Sequence, residues 1–233
     1  MTAPHIAHAI WQTLRISVPT IWQGLRGTLT PEACDQRLAQ WSSAIVRRAH
    51  IELLVEGSEH APQGQSFVLM SNHQSLYDVP VVYQALQRRI RMVAKKELFR
   101  VPIWGRAMLR AGFIALDRQS REHSRETLLA SADVLHTGTS IWIAPEGTRS
   151  KDGTLGPFRK GGFHLALQSG CPILPITIVG TRAVLPAKSA HITDGCSVRV
   201  VIHAPIDPAP FGEERRDQLI ETVRSAIASA LPA

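Results

Sequence analysis

His73 and Asp78 stand five positions apart in the stretch Asn72-His73-Gln74-Ser75-Leu76-Tyr77-Asp78. An imidazole titrates near neutral pH. A carboxylate held against one ring nitrogen fixes the tautomer and leaves the other nitrogen to take a proton. That is the equipment of a general base. The spacing limits where the two can meet. Within one helix, residues five apart point in different directions, because a turn takes about 3.6 residues. Across a strand–turn–helix corner they can touch. The flanks supply such a corner: Phe67-Val68-Leu69-Met70 reads as a short buried strand, and Val79 to Leu86 reads as a helix with Pro80 in its first turn. Taken alone, the stretch fits equally well an Asp78 that only caps the helix and a His73 that only occupies the turn.

Three further polar corners follow predicted strands: Lys95-Lys96-Glu97, Asp117-Arg118 and Glu146-Gly147-Thr148-Arg149. Ligands of open α/β sheets sit beyond the carboxyl ends of the strands, so all four corners can share one edge. Together they offer an imidazole, a carboxylate to orient it and several cations, which suits activation of a hydroxyl nucleophile beside a phosphate. Arg118 and Arg149 carry the planar fork that grips phosphate oxygens, while Lys95, Lys96 and Lys160 act as point charges. Each cation also has a plainer reading: Arg118 paired with Asp117, Arg149 locking its loop to Glu146, the lysines solvated.

Competing motifs fail. Gly156-x-x-x-x-Gly161 is followed by Gly162 where a phosphate loop needs Lys and then Ser or Thr, and the chain has no G-x-G-x-x-G, no G-x-S-x-G and no His-Glu-x-x-His. Cys34, Cys171 and Cys196 are far apart and odd in number, which argues against a disulfide framework and a zinc site. No metal and no cofactor is expected. With 26 Lys+Arg against 19 Asp+Glu, the formal charge of +7 favours anionic partners. The aromatic residues are few and lack interleaved basic residues on strands, so nucleic acid is not among those partners.

The elements that must position these corners alternate. A length of 233 residues, 44% of them hydrophobic, suits one domain, or one domain with an appendage. Residues 5 to 29 carry apolar side chains at helical spacing, with Pro19 expected to break or kink the helix; Thr30-Pro31 starts a second helix. Trp11, Trp22 and Trp41 with Arg15, Arg26, Arg47 and Arg48 fit a membrane-surface hairpin, and equally a helical cap on the core. Strands are expected at 51–55, 67–70, 91–94, 113–116, 140–143, 173–179 and 198–202. Helices are expected at 104–110 (ended by Gly112), 120–136, 163–168 and 211–231. This is an α/β domain with a largely parallel or mixed sheet flanked by helices, residues 51–233, preceded by a helical membrane-association region, residues 1–50. The N-terminus lacks a signal-peptide pattern, and no apolar run approaches the roughly 18 residues that cross a bilayer. A cytoplasmic protein that can lie on a membrane is expected.

Four blocks in order resemble the glycerolipid acyltransferases, and within them the 1-acylglycerol-3-phosphate type. Asn72-His73-x-x-x-x-Asp78 looks like the family's His-x4-Asp block. Gly112-Phe113-Ile114-Ala115-Leu116-Asp117-Arg118, Pro145-Glu146-Gly147-Thr148-Arg149-Ser150 and Pro172-Ile173-Leu174-Pro175-Ile176 are similar to the second, third and fourth blocks. Lys95-Lys96 and Phe158-Arg159-Lys160-Gly161 stand where family members carry basic residues. The third block departs by having Ala144 where Phe is usual. The resemblance implies transfer of a fatty acyl chain from acyl-coenzyme A or acyl carrier protein to a lysophospholipid hydroxyl, with lysophosphatidate as the leading acceptor. His73 is then the base and Asp78 its orienter. Asn72, Lys95, Lys96, Gly112, Asp117, Arg118, Glu146, Gly147, Thr148, Arg149 and Lys160 are the implied substrate-binding residues. The implied place is the cytoplasmic face of the inner membrane, peripherally attached. Another lysolipid acceptor, such as a lyso-ornithine lipid, and a non-catalytic lipid-binding protein of the same fold are the alternatives.

Overall fold

A computed structural model describes residues 2–117 and 119–232. Its elements run α1 (Thr2–Leu25), α2 (Pro31–Arg48), β1 (Glu52–Glu56), β2 (Val68–Ser71), α3 (Asp78–Leu86), β3 (Ile90–Lys95), α4 (Trp104–Arg110), β4 (Ile114–Leu116), α5 (Arg121–Ala130), α6 (Ala132–His136), β5 (Ser140–Ile143), α7 (Gly161–Ser169), β6 (Ile173–Val179), α8 (Thr181–Val184), β7 (Ser197–Ile202) and α9 (Arg216–Ala228). Short 3-10 turns occupy Ser58–His60 and Lys96–Arg100.

The strands form one sheet in the order β1-β7-β6-β2-β5-β3-β4. Every neighbouring pair is parallel except β6 and β7. Strands β6, β2, β5, β3 and β4 therefore end on one edge, and β1 and β7 run the other way. β2 and β5 are adjacent, yet the chain leaves them in opposite directions, from β2 through α3 to β3 and from β5 through α7 to β6. Such a divergence opens a crevice at the strand ends.

Both faces of the sheet are covered, which is why its central strands read as unbroken apolar runs. Side chains alternate between two cores. Leu69, Trp142, Leu174, Ile176 and Ile178 pack on one side with α2 and α3. Val68, Met70, Ile141, Ile143 and Ile173 pack on the other with α5, α6, α7 and α9. Phe67, Val68, Leu69 and Met70 are each 0% exposed, so the strand that carries His73 is anchored on both faces.

Local signals behave as the sequence suggests at most ends. Thr30 caps α2 by accepting the Ala33 N–H at 3.2 Å, with Pro31 in the first turn. Gly112, at φ +81°, follows α4 in the left-handed conformation that a stop requires. Three expectations need correction. Pro19 does not break α1, which is continuous from Thr2 to Leu25. The long helix expected over 120–136 is two helices, because the Ser131 hydroxyl bonds the Leu128 and Thr127 carbonyls where α5 ends. The closing helix starts at Arg216, not near Phe211. Trp41, which fits either a membrane-surface hairpin or a helical cap by sequence, is half-buried against the core and donates its indole N–H to Thr13 at 3.2 Å.

Candidate active site

Asp78 opens α3, but its carboxylate does not cap that helix. It turns back onto the loop before it. Oδ2 accepts the His73 Nδ1–H at 2.7 Å, the Gln74 N–H at 2.8 Å and the Ser75 N–H at 2.9 Å. Oδ1 accepts the Thr181 hydroxyl at 2.5 Å. Asp78 is 0% exposed, so four converging donors replace the water it gave up. A carboxylate accepts only, and the proton on the His73 ring is thereby held at Nδ1. Among the described residues Nε2 has no partner, and the ring keeps partial contact with solvent, 18% of the side chain. The edge of Trp142 lies beside it, with ring centroids 5.9 Å apart at 88°. The Trp142 indole N–H is held by Ser71 at 3.0 Å.

The loop after β5 grips His73 through its main chain. Glu146 Oε1 accepts the His73 N–H at 2.8 Å and Oε2 accepts the Gly156 N–H at 2.9 Å. The Ser150 N–H donates to the His73 carbonyl at 2.7 Å. Asn72 closes the third side: its amide exchanges two bonds of 2.8 Å with the backbone of Ile178 on β6. Both peptide groups of the residue carrying the imidazole are thus fixed by neighbours far away in sequence.

These contacts and their neighbours show how the expected binding residues are engaged within the protein. Asn72 and Glu146 are buried with their polar atoms engaged by backbone, so they brace the loop. Burial pushes the Glu146 carboxyl above its ordinary range, and the N–H groups of Gly156 and His73 pull partly against it. Lys96 is bound to Asp117 at 2.5 Å, a bond that holds the Asp117 carboxyl below the usual carboxylate range, and Lys95 lies 3.6 Å from Glu97. Lys160 points to α9, where it meets Asp217 at 2.8 Å. Arg149 is half-buried and has no ion pair among the described residues. Thr148 is exposed. Gly147 sits at φ +71°. Arg118 lies outside the described residues.

Two strand widths separate β2 from β3 and three separate it from β4. At about 4.8 Å per strand, the Lys95 and Asp117 corners lie roughly 10 and 14 Å along the edge from His73. They belong to a second station on the same edge, not to the His73 corner itself.

Two positions escaped the sequence, and a third was named only within a basic stretch. Thr181 comes from 103 residues away; the small polar residue just after the Gly180 turn at the end of β6 was its only signal. Trp142 reads from sequence as simply one more apolar strand residue. The guanidinium of Arg159, not its neighbour Lys160, lies over Gly147: a Cβ on Gly147 would come within 2.6 Å of Arg159 Nε.

An apolar cavity of about 290 Å³ begins beside this corner. Leu76 and Val79 of the His73 loop line one end; it continues beneath α1 and α2, bounded by Tyr83, Met92, Trp104 and Met108.

The family model described as Acyltransferase matches residues 52–179. The chain belongs to the acyltransferase family. A chloroplastic 1-acyl-sn-glycerol-3-phosphate acyltransferase of Brassica napus is 35% identical over 178 residues, 76% of this chain and 50% of that protein. The 1-acyl-sn-glycerol-3-phosphate acyltransferase of Saccharomyces cerevisiae is 31% identical over 222 residues, 86% of this chain and 73% of that protein. The chain spans about half the length of the plant relatives it matches. In fold it is similar to the 1-acyl-sn-glycerophosphate (LPA) acyltransferase PlsC of Thermotoga maritima, with a TM-score of 0.74 and 26% identity, covering 98% of this chain and 99% of that one. The α/β fold with two leading helices is therefore a property that this acyltransferase shares with a solved structure along nearly its whole length.

The bracing contacts of this family member predict two outcomes. Thr181→Val removes the donor to Asp78 Oδ1 while keeping the shape of the side chain. It costs about 1–3 kcal/mol in urea unfolding, and Thr181→Ser restores most of it. The second concerns Glu146. Its raised pKa means that the folded protein holds this proton to higher pH than the unfolded chain does. The associated stability is complete below the ordinary value of 4.5 and is lost as pH rises through the raised one. As pH rises above the ordinary value of 4.5, the wild-type protein therefore loses stability relative to Glu146→Gln, as paired urea midpoints will read.

Proposed function

We propose that this acyltransferase moves a fatty acyl chain from a thioester donor, acyl-coenzyme A or acyl carrier protein, to the free hydroxyl of 1-acylglycerol-3-phosphate, giving phosphatidic acid. The observation that carries this reading is the His73–Asp78 contact, with Nδ1 tied down and Nε2 without a partner among the described residues on a ring that keeps partial contact with solvent. Nε2 takes the proton from the acceptor hydroxyl as its oxygen attacks the thioester carbon. The tetrahedral oxyanion collapses, the carbon–sulfur bond breaks, and the imidazolium returns its proton to the departing thiolate. Asp78 stabilises the imidazolium between those steps. No acyl-enzyme intermediate is required, because the base and both substrates meet at one corner.

An anionic acceptor is supported by Arg149, a half-buried guanidinium without an acidic partner among the described residues, on the loop that holds His73. A planar fork suits a phosphate monoester. The cavity that starts at Leu76 is suited to an acyl chain, and Lys95 at the far station suits the phosphates of a donor. No helix among the described residues is long and apolar enough to cross a membrane. The reading is peripheral attachment to the cytoplasmic face of the inner membrane through residues 1–50. On α1, Ile10, Trp11, Val18, Trp22 and Leu25 are all more than half exposed, and the Arg26 guanidinium lies 4.1 Å over the Trp22 ring.

The test is thiol release from acyl-coenzyme A with lysophosphatidate. His73→Ala lowers turnover by about 10²- to 10⁴-fold while circular dichroism shows an intact fold. Near-normal turnover in a folded His73→Ala protein rejects the mechanism. Arg149→Lys keeps the charge and loses the fork, so the KM for lysophosphatidate rises about tenfold with the donor KM unchanged, the worth of about 1.5 kcal/mol. Equal weakening toward a phosphate-free lysolipid assigns Arg149 to loop structure instead.

A further inference from the structure

The turn between β3 and α4 is strained in a way that the catalytic corner does not explain. Ile103 has φ 66° and ψ −65°, a conformation that β-branched residues avoid, and the Trp104 N–H closes the turn on the Pro102 carbonyl at 2.7 Å. Gly105 backs so tightly onto the preceding 3-10 turn that a Cβ there would lie 2.1 Å from the Phe99 carbonyl oxygen. The outcome is a division of side chains. Trp104 turns inward and lines the apolar cavity, whereas Val101 and Ile103 are each 41% exposed and Leu109 on α4 is 55% exposed. Strain of this sort persists where the surrounding structure enforces it, and it gathers at functional segments.

The surroundings of the turn specify its partner. Arg100, Arg106 and Arg110 are exposed around the apolar residues, and the one acid of the segment, Glu97, lies 3.6 Å from Lys95. α1 packs on α4, with Gly24 against the Arg110 side chain, so the exposed Trp22 and Leu25 continue the same surface. Leu76 and Leu98 both line the cavity and reach solvent, at 56% and 37% exposure, which makes them its rim. An apolar centre, a cationic margin and an apolar cavity opening between them complement an anionic bilayer, not a soluble protein.

We propose that the 96–105 turn and the adjoining face of α4 form a second bilayer-inserting element beside α1, through which the acyl chain of a membrane lipid reaches the cavity past Leu76 and Leu98 without crossing water. The proposal rests on the lipid-acyltransferase reading, and its tests separate the two. Val101→Cys, Val18→Cys on α1 and Ala190→Cys in the loop before β7 are labelled, each in the 233-residue protein without its native cysteines, with a polarity-sensitive fluorophore. They are mixed with phosphatidylglycerol vesicles. The expected result is a blue shift and quenching by chain-labelled lipid at positions 101 and 18, and neither at 190. A response at 18 without one at 101 overturns the second element and leaves α1 as the anchor. Silence at both positions overturns membrane attachment as well.

Turnover gives an independent arm. In the triple variant Val101→Ser, Ile103→Gly, Leu109→Gln, none of the substituted residues lines the cavity, and Gly relieves the strained φ. Its rate on lysophosphatidate held in vesicles falls about tenfold relative to its rate on a short-chain, water-soluble lysophosphatidate. An unchanged ratio overturns the proposal, whether both rates hold or both fall. A wild-type protein inactive on both acceptors rejects the acyl-transfer reading, and the fluorescence arm then decides the surface alone.

Discussion

A buried carboxylate with no cation among its partners in the described residues is the constraint around which the His73 corner is built. Among the described residues Asp78 has no arginine or lysine hydrogen-bond partner; its charge is met by an imidazole, two main-chain N–H groups and one hydroxyl. Taking such a group out of water is costly unless every lone pair finds a donor. The His73 loop therefore has little freedom. If it relaxed, Gln74 and Ser75 would withdraw their N–H groups and strand the charge. Folding of the loop and alignment of the ring are one event.

The sheet makes that event possible. β6, β2 and β5 lie side by side, and each ends in a segment that contributes to the corner: Thr181 after β6, His73 after β2, Glu146 and Ser150 after β5. Neighbouring parallel strands bring together residues that the chain separates by crossovers. The corner is cross-braced in two directions, by Asn72 to the Ile178 backbone on one side and by Glu146 on the other. Few groups are left to move, which suits the base proposed at His73, whose free nitrogen must be presented at one angle.

How much of this could be read from the chain depended on the range of the interaction. The His73–Asp78 pair was legible because five residues across a strand–helix corner is a local geometry. The strands at 140–143 and 173–179 were legible because burial on both faces makes unbroken apolar runs. Residue type did not tell which way a polar side chain turns. Asn72 and Glu146 looked like ligand groups, and both are spent on backbone N–H and carbonyl groups of other strands. The choice between Arg159 and Lys160 hinges on the direction in which α7 starts, which periodicity leaves open. Thr181 was out of reach for the same reason that it matters: its partner lies 103 residues earlier. Pro19 misled because a missing helical hydrogen bond is a local cost, and α1 is held by its packing on α2 and α4.

His5, at the start of α1, is 3% exposed and bonds Asp194 at 2.6 Å, in the loop that feeds β7. Because β7 runs against β6, that loop lies on the same edge as His73. Near the other end of α1, Gly24 rests on Arg110 of α4. The outermost helix is thus pinned at two distant points to the body that holds the imidazole. It is held as a fixed keel and not as a tether: under the proposed membrane attachment, the depth at which α1 settles sets the height of the His73 imidazole above the lipid. On that proposal, lipid substrates arrive by lateral diffusion past a stationary ring, with no stroke of the protein needed to fetch them.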